Sequence, residues 1–269
     1  MKMYQYLKYV FLVGLMVGLM ACGDSTGPDG PDVGEAPAIP SLENAQPDVS
    51  YFQTTNQENT ATTASSVAFS SAQSMVMGFS MLSSMSQIYQ PFFQDAQGVE
   101  ATFNNGVWEW SYTATHMGTE ATIRLTAEEE SNGIFWDMFL TVDSPEISFE
   151  DYNMISGFVN NNGNEGFWNL NTIFNDTGSE QLLLESVWEV ISDDESTLDM
   201  TIYNEQGEAD GTVTYSKNVP VHEMVINSST VIYWNTEDEI GYISDDGEKM
   251  CWEGRGTTAS DVECSEVGL

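Results

Sequence analysis

The chain has 269 residues, 41% of them apolar and 12% aromatic, enough to build a sizeable core and to exclude wholesale disorder. Six basic residues stand against 42 acidic ones, a formal charge of −36. A surface of that sign repels phosphate backbones and anionic head groups, so no nucleic-acid partner is expected.

The first residues read as a targeting segment. Lys2 and Lys8 give a short basic start, and Val10 to Met20 is an apolar run of the length of a signal-peptide core. The run ends in Leu19-Met20-Ala21-Cys22, which resembles the lipobox of bacterial lipoproteins, a small residue before an invariant cysteine. The resemblance covers residues 1–22. It implies removal of a signal peptide, residues 1–21, and acylation of Cys22 on its thiol and its new amine. Several palmitate-type chains, at roughly 0.8 kcal/mol per buried CH₂, would hold the protein on a membrane without a spanning helix. Gly23, rather than an aspartate, follows the cysteine; by the same resemblance this points to the outer membrane of a bacterium, with the body facing either the periplasm or the exterior. Loss of the leader leaves Arg124, Lys217, Lys249 and Arg255 against 42 acids, a formal charge of −38. Adaptation to a saline medium, where counterions screen the acids, and a surface built for one cationic partner are both open as its origin.

Residues 22–57 are expected to form a flexible tether. They are rich in Gly, Pro and Asp, a composition that cannot bury enough surface to order itself. Val49 to Phe52 is the part that would dock, as an edge strand. Residues 58–269 are expected to be a single domain. Its opening stretch, Asn59 to Gln94, contains no Asp, Glu, Lys or Arg. Within it Ala68, Ala72, Met75, Phe79, Leu82, Ser86 and Tyr89 step by three and four, the spacing of one helical face. Met77, Met81, Met85 and Ile88 form a second apolar row. The reading is one helix over about 65–90, ended by Pro91, with its serines bonded to their own backbone so that it tolerates burial. So many serines make it too polar to be read as a membrane span.

From about residue 98 to 269 the period changes to two. Trp108, Trp110 and Tyr112 alternate with Glu109, Ser111 and Thr113; Ile123, Leu125 and Ala127 alternate with Arg124 and Thr126; Trp136, Met138, Leu140 and Val142 share a register. Nine more such segments follow, ending at Lys249–Trp252, and Asn105-Gly106 and Asp246-Gly247 are hairpin signals between neighbours. The predicted fold is mainly β: an antiparallel meander of about a dozen strands in a curved, partly closed sheet or barrel, with the long helix on its inner face. Cys251 and Cys264, with twelve residues between them, are expected as a disulfide in an oxidising compartment.

Chemistry is harder to find. Seven tryptophans fall at about one per strand. Core packing is the bland reading, and a sugar-stacking platform at Trp108 and Trp110 the functional one. The two histidines, His116 and His222, sit near turns without metal or triad spacing, so no catalytic residue and no metal ligand is assigned. Acid runs such as Glu128-Glu129-Glu130 and Asp245-Asp246-Gly247-Glu248 read as solvated turns, with calcium as the one alternative cofactor. Methionine adapts to irregular ligands, so an apolar ligand or lipid between helix and sheet, lined by Met75, Phe79, Leu82, Met85, Trp108 and Trp110, is the leading expectation for a non-catalytic envelope lipoprotein. A carbohydrate-binding or carbohydrate-active surface protein and a purely structural envelope component are the alternatives.

Overall fold

The computed structural model describes residues 34–53, 66–83, 90–116, 119–143, 148–172 and 180–269. The expected signal peptide, the lipidation position Cys22 and the helix residue Met85 lie outside them. The protein is mainly β. Fourteen antiparallel strands follow one another in a single meander sheet whose spatial order is the sequence order. They are β1 (Thr102–Asn104), β2 (Val107–His116), β3 (Thr119–Glu130), β4 (Gly133–Asp143), β5 (Ser148–Asn160), β6 (Glu165–Asn171) and β7 (Leu182–Ser192). The second half adds β8 (Glu195–Tyr203), β9 (Ala209–Asn218), β10 (Val221–Ile226), β11 (Thr230–Asn235), β12 (Ile240–Asp245), β13 (Glu248–Glu253) and β14 (Ser260–Val262). The order begins at β1 and ends at β14 without a pairing between them, so the sheet is not closed into the barrel that the sequence allowed. Two tight turns follow their sequence signals: Asn105-Gly106 and Asp246-Gly247 all take positive φ, the conformation of primed hairpin loops that match the strand twist.

Two helices are present among the described residues, α1 (Val67–Ser83) and α2 (Gln90–Ala96). The expected single helix over 65–90 is therefore corrected to a shorter α1 and a separate α2. Pro91 does not end a helix; it stands in the first turn of α2, where its missing N–H has no intrahelical partner to lose and its fixed φ suits the helix.

The chain forms two compact units. One comprises the described parts of Met1–Leu42, Ser86–Gly163 and Asn169–Gln181. Its core is the inward row of β2 to β5: Trp110, Ile123, Leu125, Trp136, Met138 and Tyr152 are buried, and Trp110 stacks on Trp136 at 5.8 Å. Helix α2 lies against β2 and β3 with Phe92, Phe93 and Ala96 buried, and the Tyr112 hydroxyl donates to the Phe92 carbonyl at 2.6 Å. On the opposite face Arg124 is held by Asp151 through two hydrogen bonds of 3.1 and 2.9 Å and lies 4.0 Å over the Phe139 ring.

The other unit comprises the described parts of Glu43–Met85, Asn164–Trp168 and Leu182–Leu269. Strand register places Lys217, His222, Trp234, Gly241, Trp252 and Asp261 in one row across β9 to β14. Directly opposed residues share a sheet face, so this row forms one continuous surface. Helix α1 covers its far end, packed against β12, β13 and β14. The Cys251–Cys264 disulfide forms as expected, with Cα atoms 5.2 Å apart. Closing a loop of this length contributes on the order of 3 kcal/mol in the chain-entropy model.

Within the tether expected over 22–57, residues 43–52 are packed against the rest of the second unit. Two 3-10 turns, Glu43–Ala45 and Ser50–Phe52, lie in this segment, and Val49, Tyr51 and Phe52 are buried. Val49 to Phe52 docks as a turn, not as an edge strand. The physical reason is aromatic: Phe52 sits among Tyr51, Phe69, Trp234 and Trp252 at ring distances of 5.1 to 6.3 Å. Arg255 fastens the same turn, donating from Nε to the Tyr51 carbonyl at 2.7 Å and from Nη2 to the Ser50 carbonyl at 2.6 Å.

Candidate functional site

Helix α1 carries three of the six residues the sequence singles out for ligand contact, Met75, Phe79 and Leu82. Its buried stripe is Ala68, Phe69, Ala72, Val76 and Ser83. The face expected from spacing holds Ala68 and Ala72 and then turns to Met75, Phe79 and Leu82. The structure turns the other way, from Ala72 to Val76. Small side chains let the helix approach the strands closely, and Phe69 fills the contact, 5.9 Å from Trp252 and 5.5 Å from Phe52. Met75 is consequently an outward residue, 42% exposed, with Val67 at 63% and Met77 at 38%; Phe79 and Leu82 are half-buried. A helix without a single charged residue thus presents apolar side chains to its surroundings. Its serines bond their own backbone, Ser70 to the Val67 carbonyl at 3.1 Å and Ser74 to the Ser70 carbonyl at 2.8 Å. Gln73 adds an anchor, donating from Nε2 to the Phe52 carbonyl at 2.7 Å.

Trp108 and Trp110, two more of the six, belong to the first unit and are buried. All seven tryptophans are 6% exposed or less. A stacking platform needs an open ring face, and these rings are packed in the core. Trp108 spends its indole N–H on Glu129 at 3.3 Å.

His222 sits near a turn, which suggests a surface or structural role, and of the two the structure shows the structural one. It is 3% exposed, stacked in the row beside Trp234 at 5.1 Å and 13°. Its Nδ1 lies 2.8 Å from the Tyr215 hydroxyl, which also accepts from the Asp48 backbone N–H at 3.3 Å. Alternation contained the signal: His222 and Met224 lie on one face of β10, and Met224 is core. Burial pushes the Tyr215 phenol well above its ordinary value, and the Asp48 charge adds to this. Burial, with Lys217, holds the His222 imidazole below 6.5, against the opposing pull of Asp48. At neutral pH the pair is therefore an uncharged hydrogen-bonded strut under the Glu43–Phe52 segment.

This strut makes the second unit acid-sensitive. The folded imidazole binds its proton at lower pH than the unfolded one. Its contribution is thus complete above the unfolded value of 6.5 and is lost as pH falls through the window below it. Asp48 extends the loss downward. Burial raises its carboxyl, but hydrogen bonds from Ser50 and attraction to His222 and Lys217 outweigh this and hold it below 3.8. The urea midpoint should therefore fall between about pH 7.5 and about pH 5, and His222→Gln should flatten that slope. An equal slope in the variant would place the sensitivity elsewhere.

The acid runs lie at strand ends and turns. At Asn235–Asp238 the turn satisfies itself, Asn235 donating to Asp238 at 2.8 Å and accepting from the Glu237 and Asp238 N–H groups. Among the described residues no group of three or more His, Cys, Asp or Glu is arranged to hold a metal ion, and no helix is long and apolar enough to cross a membrane. Comparison with protein-family models, with curated protein sequences and with solved structures finds no match to this chain.

Proposed function

We propose that the protein is a non-catalytic envelope lipoprotein, held by an acylated Cys22 at the outer membrane of a bacterium, that binds an apolar ligand bearing an acyl chain at helix α1. The observation that carries this reading is the exposure of Val67, Met75 and Met77 on a helix with no charge, in a chain with 42 acids. Exposed apolar side chains on an uncharged helix favour contact with another apolar body, and methionine side chains adapt to flexible ones. Anchoring at a membrane would place this helix beside a lipid source. The ligand contacts expected between sheet and helix move, in this reading, to the outward side of α1.

The test is native mass spectrometry of the mature protein after mild extraction. A co-purified lipid is expected, and Met75→Glu with Met77→Glu should reduce its occupancy about tenfold, the equivalent of about 1.4 kcal/mol. Both positions face outward, so the melting temperature of the variant should stay close to that of the parent. An empty parent protein, or a variant that keeps its lipid, would remove the reading.

A further inference from the structure

We infer that the Cys251–Cys264 disulfide is a redox-sensitive latch on helix α1, acting through Asp261. The N-terminus of α1 has no acidic residue in its own first turn. Its cap is assembled from a distant strand. Asp261 of β14 accepts from the Ser66 hydroxyl at 2.6 Å, from the Val67 N–H at 3.1 Å and from the Ala68 N–H at 3.1 Å. Ser66, oriented by that contact, accepts from the Phe69 N–H at 2.9 Å. The first three amides of the helix are thus satisfied by Asp261 or by the serine it positions. A carboxylate there also suits the positive end of the helix dipole.

Besides its own bonds to α1, Asp261 is held by a short strand and by the disulfide. Strand β14 has three residues, lies at the sheet edge, and makes three pairings: Ser260 with Glu253, Asp261 with Trp252, Val262 with Cys251. So short an edge strand has little hold of its own. Cys251 is cross-strand from Val262 and is bonded to Cys264 two residues further on, so the covalent link clamps the register that aims Asp261 at α1. Cys251 is buried and Cys264 half-buried, which leaves Cys264 as the sulfur an external reductant reaches. A dithiol would supply both electrons. Its thiolate attacks the Cys264 sulfur, and Cys251 departs as a thiolate and takes up a proton. The second thiol of the reductant, losing its proton, closes the reductant's own disulfide and releases Cys264, which is protonated in turn. Freed of the link, β14 can leave the edge, and α1 then loses its cap while keeping Gln73 and Phe69 as its other attachments.

The latch is independent of what α1 binds, and its test contains no ligand. Hydrogen exchange of the full chain is compared before and after dithiothreitol, with two thiols confirmed by alkylation. Exchange at the Val67 to Phe69 amides should accelerate at least tenfold on reduction, while β3 and β4 keep their protection. Asp261→Ala should produce the same acceleration with the disulfide intact. Three results would overturn the latch: unchanged protection of α1 in the reduced protein, equal acceleration in β3 and β4, or an Asp261→Ala helix as protected as the parent.

Discussion

Phe52→Ala is expected to lower the stability of the protein by about 3–5 kcal/mol, the range for emptying a buried aromatic site. The side chain is 1% exposed and is enclosed by rings from three parts of the chain: its neighbour Tyr51, Phe69 of α1, and Trp234 and Trp252 of the sheet. Nothing nearby can collapse into the space without giving up a contact of its own. Trp252 is held by its indole N–H on the Tyr51 hydroxyl at 3.2 Å, and the Tyr51 hydroxyl in turn donates to the Gly254 carbonyl at 3.2 Å. The backbone contacts of the turn survive the substitution, because Gln73 and Arg255 bind carbonyls rather than the ring. Equilibrium urea unfolding measures the loss. A change below about 1 kcal/mol, the size of an ordinary surface substitution, would mean that Glu43–Phe52 is a surface strap and that its aromatic residues contribute little to the core.

That segment marks the boundary of what can be read from the sequence. The strands are legible because a half-buried strand writes its two environments into alternate residues. Trp136, Met138, Leu140 and Val142 are inward and buried, as their spacing implies. Turn residues punctuate the pattern, and all twelve expected strands form. The two that escape it, β1 and β14, have three residues each, too few to show a period. Glu43–Phe52 is legible only in the docking of Val49 to Phe52, not in its form, for a related reason. A 3-10 turn buries residues by shape rather than by period, and the adjacent pair Tyr51-Phe52 is the one signal in a polar stretch. For helix α1 the spacing gives the right place and the wrong rotation. It points the bulky methionines to the core, whereas packing on strands selects the small face of Ala68 and Ala72. The outward Met75 and the latch through Asp261 both follow from that rotation and from a contact between residues almost 200 apart in the chain. Local pattern carries no trace of such contacts.

Gly241→Ala is the second substitution expected to be severe, at about 3 kcal/mol, although it adds one methyl to a strand. Gly241 stands in the row between Trp234 and Trp252, cross-strand from both. The Trp252 indole occupies the space above it. A methyl at Gly241 would meet the indole Cζ2, would lie 2.8 Å from Cε2 and 2.5 Å from the Tyr233 carbonyl oxygen. One obstacle is a fully buried ring and the other is backbone, so neither yields cheaply, and overpacking of this kind typically costs about 1–3 kcal/mol or more. The ring cannot swing aside without leaving Phe52, Phe69 and the Tyr51 hydroxyl. A double-mutant cycle separates the two obstacles. In a Trp252→Leu background the indole is gone and the carbonyl remains, so Gly241→Ala should cost no more than about half of what it costs in the parent. If the cost is the same in both backgrounds, the indole is not what excludes a side chain here. The strand geometry around the Tyr233 carbonyl would then be the sole reason for a glycine in the middle of this core.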